Sequence, residues 1–458
     1  MTADAAQTPR ALDPAELDRL TGDRRDRAVD VLRLASLIVV IAGHSIMLTV
    51  APPGPGGDRL VLGNLLGDYP FLQVATWLLQ VLPLFFFAGA AAAVYGWRPD
   101  VDGVAPAPGH WLLRRAQRLL RPVFWYLLAV GGALGAVASA GSAAGVDVIA
   151  RLGVQLLWFL GAYLVILATV ALLQGISRPA HLAIAVASCY GVTAVADVAR
   201  LHNGSGETPP WTMVTFATAW MIPAILGIGY AKKLIGARAA AIGAALMLIV
   251  DTVLVLAGPY DVSMVTVPGQ RLSNMSPPSL LLAGHAIVLC LLAIACAGAI
   301  GRWARRPRVW WWVALGNRGA MTLYLWHLPV LGLIIGVGAL AGFTRDEPAS
   351  GSHLAIVGVQ TLLLLVLMVP VVAVLSPLEN RPLPWWDDAR ATRLTATRVH
   401  NAVDGTVLVL LVVAGGAILM FARDGMVVGA PVLAVAVAAA VAARLISVGT
   451  GQPAGQHR

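Results

Sequence analysis

Apolar runs long enough to cross a bilayer recur about twelve times between residues 29 and 447, and this recurrence constrains the fold more than any motif. Roughly 20 apolar residues span the ~30 Å hydrocarbon core as a helix. In lipid every backbone N–H and C=O must be satisfied internally, which leaves helices or closed barrels. Continuous rather than alternating apolar runs select helices. The runs fall near 29–50, 72–96, 122–141, 153–174, 180–198, 211–231, 237–257, 280–300, 312–338, 353–375, 404–421 and 427–447. The predicted fold class is all-α, a polytopic transmembrane helical bundle of about 12 spans. With 58% hydrophobic and 12% charged residues, the composition is that of a membrane protein and not of a soluble domain.

The formal charge is +9, a balance that in a soluble protein would suggest nucleic acid. Here the basic residues sit in the loops, and membrane topology accounts for them, so no nucleic-acid partner is expected. An even span count puts both termini on one side. Assigning them to the cytoplasm places 25 of the 32 Lys and Arg inside and six outside (Arg59, Arg151, Arg200, Arg271, Arg345 and Arg423). That bias follows the positive-inside rule. Cys189, Cys290 and Cys296 lie within apolar runs and read as small core residues without a disulfide framework.

The tail before residue 28 is too charged for a cleavable signal peptide and reads as a flexible cytoplasmic arm (1–27) whose RRDR end anchors the first helix. A transmembrane domain over 28–382 follows, then a cytoplasmic linker (383–403), two additional spans (404–447) and a cytoplasmic tail (448–458). Chemistry must then be done by helices and short loops.

Arg33 and His44 lie eleven residues apart in the first run. That is almost three helical turns, so both project from one face, with a rise of about 16 Å between them. Ionisable groups in a span are costly and mark functional sites by default. A snorkelling Arg and a hydrogen-bonded core His are the alternatives. Asp30, three residues before Arg33, is placed to pair with it and orient it, or to form no more than a helix-end ion pair.

The lead-in Arg27-x-x-Asp30-x-Leu-Arg33, followed by His44, resembles the opening of the membrane-bound acyltransferase 3 family. LPLFFFAGA (82–90) resembles that family's second-span FF-x-SG stretch, with Ala88 where Ser is common. RRAQRLLRP (114–122) resembles the Arg-rich entry to its third span, LYLWHLPV (323–330) its late Y-L-W-H span, and SPLENRP (376–382) the close of its tenth. The resemblance covers roughly residues 27–382, a ten-span core, with the last two spans as an appendage.

Acyl transfer from a thioester to a hydroxyl requires a base, and His suits that role near neutrality. His44 is therefore the candidate base or proton relay, with Arg33 its partner in positioning the donor and Asp30 orienting Arg33. Arg115, Arg118 and Arg121, next to Arg114, are spaced to share helix faces, and guanidinium forks suit phosphates. By resemblance they clamp the phosphates of a cytoplasmic acyl-CoA; positive-inside topology or anionic lipid head groups are the other readings. Tyr324 and His327 are assigned by resemblance to the acyl tunnel or its hydrogen-bond network, and a buried, satisfied His327 is the alternative. The 258–279 loop is long for a connector. Its Tyr260 and Asn274 are candidates for binding sugar hydroxyls, or the loop is a connector only. His285, Asp197 and Asp251 are weaker candidates. His110 and His181 read as span-edge residues, Glu379 as a helix end before Pro382, and 302–308 beside Trp310–Trp312 as topology and an interfacial belt.

The reading implied is an integral, multi-pass O-acyltransferase of a bacterial cytoplasmic membrane. It takes an acyl group, most simply acetyl, from cytoplasmic acyl-CoA to a hydroxylated glycan or lipid acceptor of the cell envelope. No cofactor is bound permanently, and no His–carboxylate cluster has metal-ligand spacing. A secondary transporter of a polar or amphipathic small molecule is the alternative, but it calls for two similar halves. The motifs do not recur at a six-span offset.

Overall fold

The computed structural model describes residues 13–22, 25–51, 61–98, 105–202, 212–267, 270, 272–345, 351–387 and 398–449. Parts of the expected arm (1–12, 23 and 24), linker (388–397) and tail (450–458) lie outside the described residues. Within them, twelve helical segments are long and apolar enough to cross a membrane.

Helix α1 (Pro14–Thr21) precedes the first span, α2 (Arg27–Met47). A hairpin of β1 (Leu48–Ala51) and β2 (Val61–Asn64), with Leu48 opposite Asn64, leads through α3 (Leu65–Asp68) to the second span. That span is broken: a 3-10 segment (Pro70–Ala75) and α4 (Thr76–Leu79) precede α5 (Leu82–Tyr95). The third span is α6 (Pro108–Ser139), and α7 (Ala143–Gln155) with α8 (Leu157–Leu172) forms the fourth. Spans five to eight are α9 (Pro179–His202), α10 (Met213–Ala231), α11 (Ala237–Leu256) and α12 (Leu280–Ala304). The expected 312–338 run is two helices, α13 (Pro307–Arg318) and α14 (Ala320–Leu340), followed by α15 (His353–Glu379). The last two spans are α16 (Arg398–Val428), broken at Gly425, and α17 (Ala430–Gly449).

α2 is at the centre of the ten-span core and packs against α5, α12, α13, α14 and α15. Its start is set by Asp26, whose carboxylate accepts the N–H groups of Ala28 and Val29 that no helical carbonyl reaches. Tyr95 of α5 donates to the same carboxylate, fixing two helix ends to each other. α2 ends where Leu48 turns to extended backbone and enters β1. Its inner face buries Leu37 and Ile41 in a core shared with Phe86, Trp111 and Leu325. Large apolar side chains remain exposed on α9, α11 and α15 (Val195, Leu256, Leu362), as expected of surfaces that meet lipid tails.

Two expectations about the periphery are corrected. The arm is not wholly flexible, because α1 docks on α13: Trp310 donates to Thr21 Oγ1 at 2.8 Å, and Arg27 pairs with Asp18 at 2.5 Å. Nor is Trp310 an interfacial-belt residue. It is 1% exposed, with the Arg25 and Arg27 guanidinium groups 5.3 and 4.8 Å from its ring.

α16 and α17 are no loose appendage. α16 packs on α6, α7 and α8, and Gly161 lies so close to the Gly415 carbonyl that no side chain would fit between them. Asp404 of α16 accepts the N–H groups of Gly109 and His110 at 2.9 Å each and contacts His110 Nδ1 at 2.8 Å, which caps α6.

Candidate active site

α2 and α14 bring His44 Nδ1 to 2.9 Å from His327 Nε2, with the two rings within 3° of parallel. The other ring nitrogen of His327, Nδ1, faces the carbonyl oxygens of Tyr324 at 2.8 Å and Leu323 at 3.2 Å. Carbonyls only accept, so His327 Nδ1 carries the hydrogen, and in the neutral ring Nε2 is the lone pair. His44 Nδ1–H therefore donates to His327 Nε2. The lone pair of His44 Nε2 is left free, with no hydrogen bond to a described residue. His327 is buried and His44 half-buried, so the pair is an inner, tautomer-fixed histidine behind an outer basic nitrogen.

The α14 backbone around His327 is held from three sides. Glu379, 2% exposed at the end of α15, accepts from Thr322 Oγ1 at 2.5 Å and Trp326 Nε1 at 2.6 Å. Glu379 thus ends a helix, as expected, but also fixes the turn that carries the histidine. Trp326 meets Tyr126 edge to face at 5.5 Å, and Tyr126 donates to the Gly153 carbonyl at 2.6 Å. The Tyr324 hydroxyl donates to the Leu156 carbonyl at the α7–α8 break, so its polar atom is used in packing. Pro329, two residues past His327, lacks the N–H that the Leu325 carbonyl would need, which loosens α14 at this point. On the other side, Ser45 Oγ meets Thr361 Oγ1 of α15 at 2.8 Å.

Asp30 does not pair with Arg33. Its two oxygens take Arg25 Nε at 2.6 Å and Nη2 at 3.1 Å, a fork geometry that the surface spacing of residues 30 and 33 does not offer. The bonds to Asp30 hold the Arg25 guanidinium above its ordinary pKa. Arg33 is half-buried and makes no hydrogen bond or ion pair with a described residue.

The α6 arginines are divided rather than gathered. Arg115 stacks on Trp111, its guanidinium carbon 3.6 Å from the ring centroid. Arg121 pairs with Asp387 at 2.5 Å and donates to the Asn380 carbonyl at 2.9 Å. Arg114 and Arg118, one turn apart, are exposed and make no such bonds to described residues.

Tyr260 and Asn274 are not brought to the histidines. Tyr260, 7% exposed, donates to Asp197 at 3.0 Å, and burial followed by that carboxylate raises its phenol pKa. Asn274 is fully buried, donating to the carbonyls of Asp261 and Ser263 at 2.8 Å and accepting from Ser279 at 2.7 Å. The described part of their loop is packed onto the broken second span: Trp77 donates to the Val262 carbonyl, Gln80 to that of Met264, and Thr76 Oγ1 accepts the Met264 N–H. Tyr260 and Asn274 thus point inward, while Thr266 and Ser276 of the same loop are exposed.

The weaker candidates fall elsewhere. Asp251 and His285 lie 4.0 Å apart, buried between α11 and α12 beside Trp77. Asp197 binds Tyr260, the Leu280 N–H and Arg200. His181 is exposed. Sequence reasoning missed Thr361 and Arg345; Arg345, counted among the outside charges, is 2% exposed and donates to the carbonyl of Ser45 at 2.6 Å.

The family model described as "Acyltransferase domain", for acyltransferase 3, matches residues 26–377, which takes in both histidines, Arg33 and the α6 arginines. The chain belongs to the acyltransferase 3 family and is an integral, multi-pass membrane acyltransferase. No curated protein and no solved structure shows significant similarity to it. α16 and α17 lie beyond the match although they pack into the same bundle.

Proposed function

We propose that the protein is an acyl-CoA-dependent O-acyltransferase of a bacterial cytoplasmic membrane. It moves an acyl group, most simply acetyl, to a hydroxyl of an extracytoplasmic or membrane-associated glycan or glycolipid. The observation that carries this reading is the hydrogen bond from His44 to His327, which leaves His44 Nε2 unprotonated, with no hydrogen bond to a described residue. An alcohol is a poor nucleophile until its proton is removed. His44 Nε2 takes that proton as the hydroxyl oxygen bonds to the thioester carbonyl carbon. When the carbon–sulfur bond breaks, the departing thiolate receives the proton from His44. His327 holds the imidazolium ring in place and keeps its Nδ1–H proton throughout.

Acyl-CoA acts here as a substrate, not a resident cofactor. Both termini are cytoplasmic in this reading, so the α6 arginines face the compartment that supplies the donor. Arg118, exposed and unpaired among the described residues, grips a donor phosphate, with Arg115 beside it; Arg121 contributes once released from Asp387. Arg33, with no ion pair to a described residue and on the α2 face that leads to His44, guides the thioester end.

Purified protein in detergent, given acetyl-labelled acetyl-CoA and an envelope fraction, should release free CoA and place the label in alkali-labile esters. Retention of the thioester at the rate seen without enzyme, for acetyl-CoA and for longer acyl-CoAs, would refute the donor assignment.

A further inference from the structure

Arg345 lies just beyond α14, yet its side chain is buried against the last turn of α2, the turn that carries His44. Nη1 donates to the carbonyls of Ser45 at 2.6 Å and Leu48 at 2.9 Å, and Nε donates to Gln360 Oε1 of α15. Those carbonyls are at the negative end of the α2 dipole, which offsets part of the charge. No described carboxylate pairs with it. Burial lowers its pKa to about 10, so the guanidinium is still charged at neutrality.

Two N–H groups are left over. Arg345 Nη2 is buried with no partner among the described residues, and so is Nε2 of Gln360, itself 5% exposed. They belong to side chains bonded to each other, so the orphaned donors lie close together, on groups that brace the residue after His44. A buried cation with no described counter-charge and a buried amide with no described partner are both costly arrangements, and nothing in the α2 cap requires either. Capping uses Nη1 alone.

We infer that Arg345 Nη2 and Gln360 Nε2 form a binding site for a negatively charged oxygen beside His44. The inference rests on the acyl-transfer reading for the identity of that oxygen. One source is the acyl carbonyl: as the hydroxyl oxygen bonds to carbon, the π pair moves onto the carbonyl oxygen, and two fixed donors hold it until the carbon–sulfur bond breaks. The other source is an anionic group, carboxylate or phosphate, on the acceptor.

Gln360→Glu separates this role from capping. A Glu oxygen still accepts Arg345 Nε–H, so the α2 cap stays, while the second oxygen replaces the Nε2 donor and neutralises the guanidinium. Its melting temperature in detergent should match or exceed the wild type, since a buried cation gains its counter-charge. Turnover of acetyl-CoA should nonetheless fall by about 10²–10³-fold, the usual effect of losing such a donor. Equal loss of transfer to the envelope fraction and of hydrolysis by water identifies the acyl carbonyl as the source. Loss of transfer with hydrolysis intact identifies an anionic acceptor. Wild-type rates for both reactions would overturn the site, and so would a lowered melting temperature, which would mean that Arg345 already has a counter-charge. The melting arm needs no acyl-CoA chemistry. A wild-type protein inert toward acyl-CoA therefore fails the proposed function, while the melting comparison of Gln360→Glu with wild type still tests the anion site.

Discussion

His44 and His327, 283 residues apart in sequence, share one hydrogen, and its direction is fixed from the far edge of the His327 ring. Because the Tyr324 carbonyl claims His327 Nδ1–H, only His44 is left with an unprotonated nitrogen facing away from the pair. The consequence is a division of labour: His327 sets the tautomer and orientation, and His44 handles the proton.

His327→Leu removes the acceptor for His44 Nδ1–H and frees the His44 ring to change tautomer or rotate. Turnover of acyl-CoA should fall roughly tenfold to a hundredfold, at the lower end of general-base effects, with KM little changed. His327→Gln, whose amide oxygen can accept the same hydrogen, should retain more activity than His327→Leu. Identical kinetics for both variants and wild type would show that the pair has no part in turnover.

The two α6 arginines that bracket the motif should behave differently. Arg118→Lys keeps a charge but loses the planar fork, and KM for acyl-CoA should rise several-fold with the melting temperature unchanged. Arg121→Ala removes the ion pair of half-buried Asp387, which keeps the Leu383 N–H, so its principal effect should be on stability. Arg305→Lys serves as the charge-only control. A rise in KM no greater for Arg118→Lys than for Arg305→Lys would return the cluster to a topological role.

The spans were legible because hydropathy is a one-dimensional property. What hydropathy does not register is a turn made by small or amide residues, and so α13 and α14 read as one run through Asn317, Arg318 and Gly319. The motif residues His44 and His327 were each visible, but their bond was not, because contact across 283 residues has no local signature. Asp30 was assigned to the wrong arginine for the opposite reason. The local i,i+3 spacing suggested Arg33, whereas Arg25 folds back from the turn before the helix with both nitrogens aligned. In the sequence Arg345 reads as an outside charge, and Tyr260 and Asn274 as candidates for sugar hydroxyls. Nothing in a sequence says which loop side chains turn inward, and all three do.

Tyr324→Phe tests whether that hydroxyl has a packing role only. Losing its bond to the Leu156 carbonyl should cost about 0.5–1.5 kcal/mol of stability, read from chemical or thermal denaturation in detergent. Turnover should remain within a few-fold of wild type. A large change in KM for the acceptor with unchanged stability would restore Tyr324 to the substrate site.

Asp404→Ala removes the cap that ties α16 to α6 and takes the acceptor from the buried Gly109 N–H and the half-buried His110 N–H. A loss of about 1–3 kcal/mol is expected. KM for acyl-CoA should also rise, because the same cap positions the start of the arginine-bearing helix. Full stability and kinetics in this variant would make the last two spans dispensable to the core.

The most direct measurement is the rate of CoA release by His44→Ala in detergent. The variant's melting temperature and its binding of acyl-CoA are to be shown equal to wild type. Removing the one free basic nitrogen of the pair should reduce turnover by about 10²–10⁴-fold while acyl-CoA binding persists. Turnover close to wild type in a folded, donor-binding His44→Ala protein would contradict the assignment of His44 as the base.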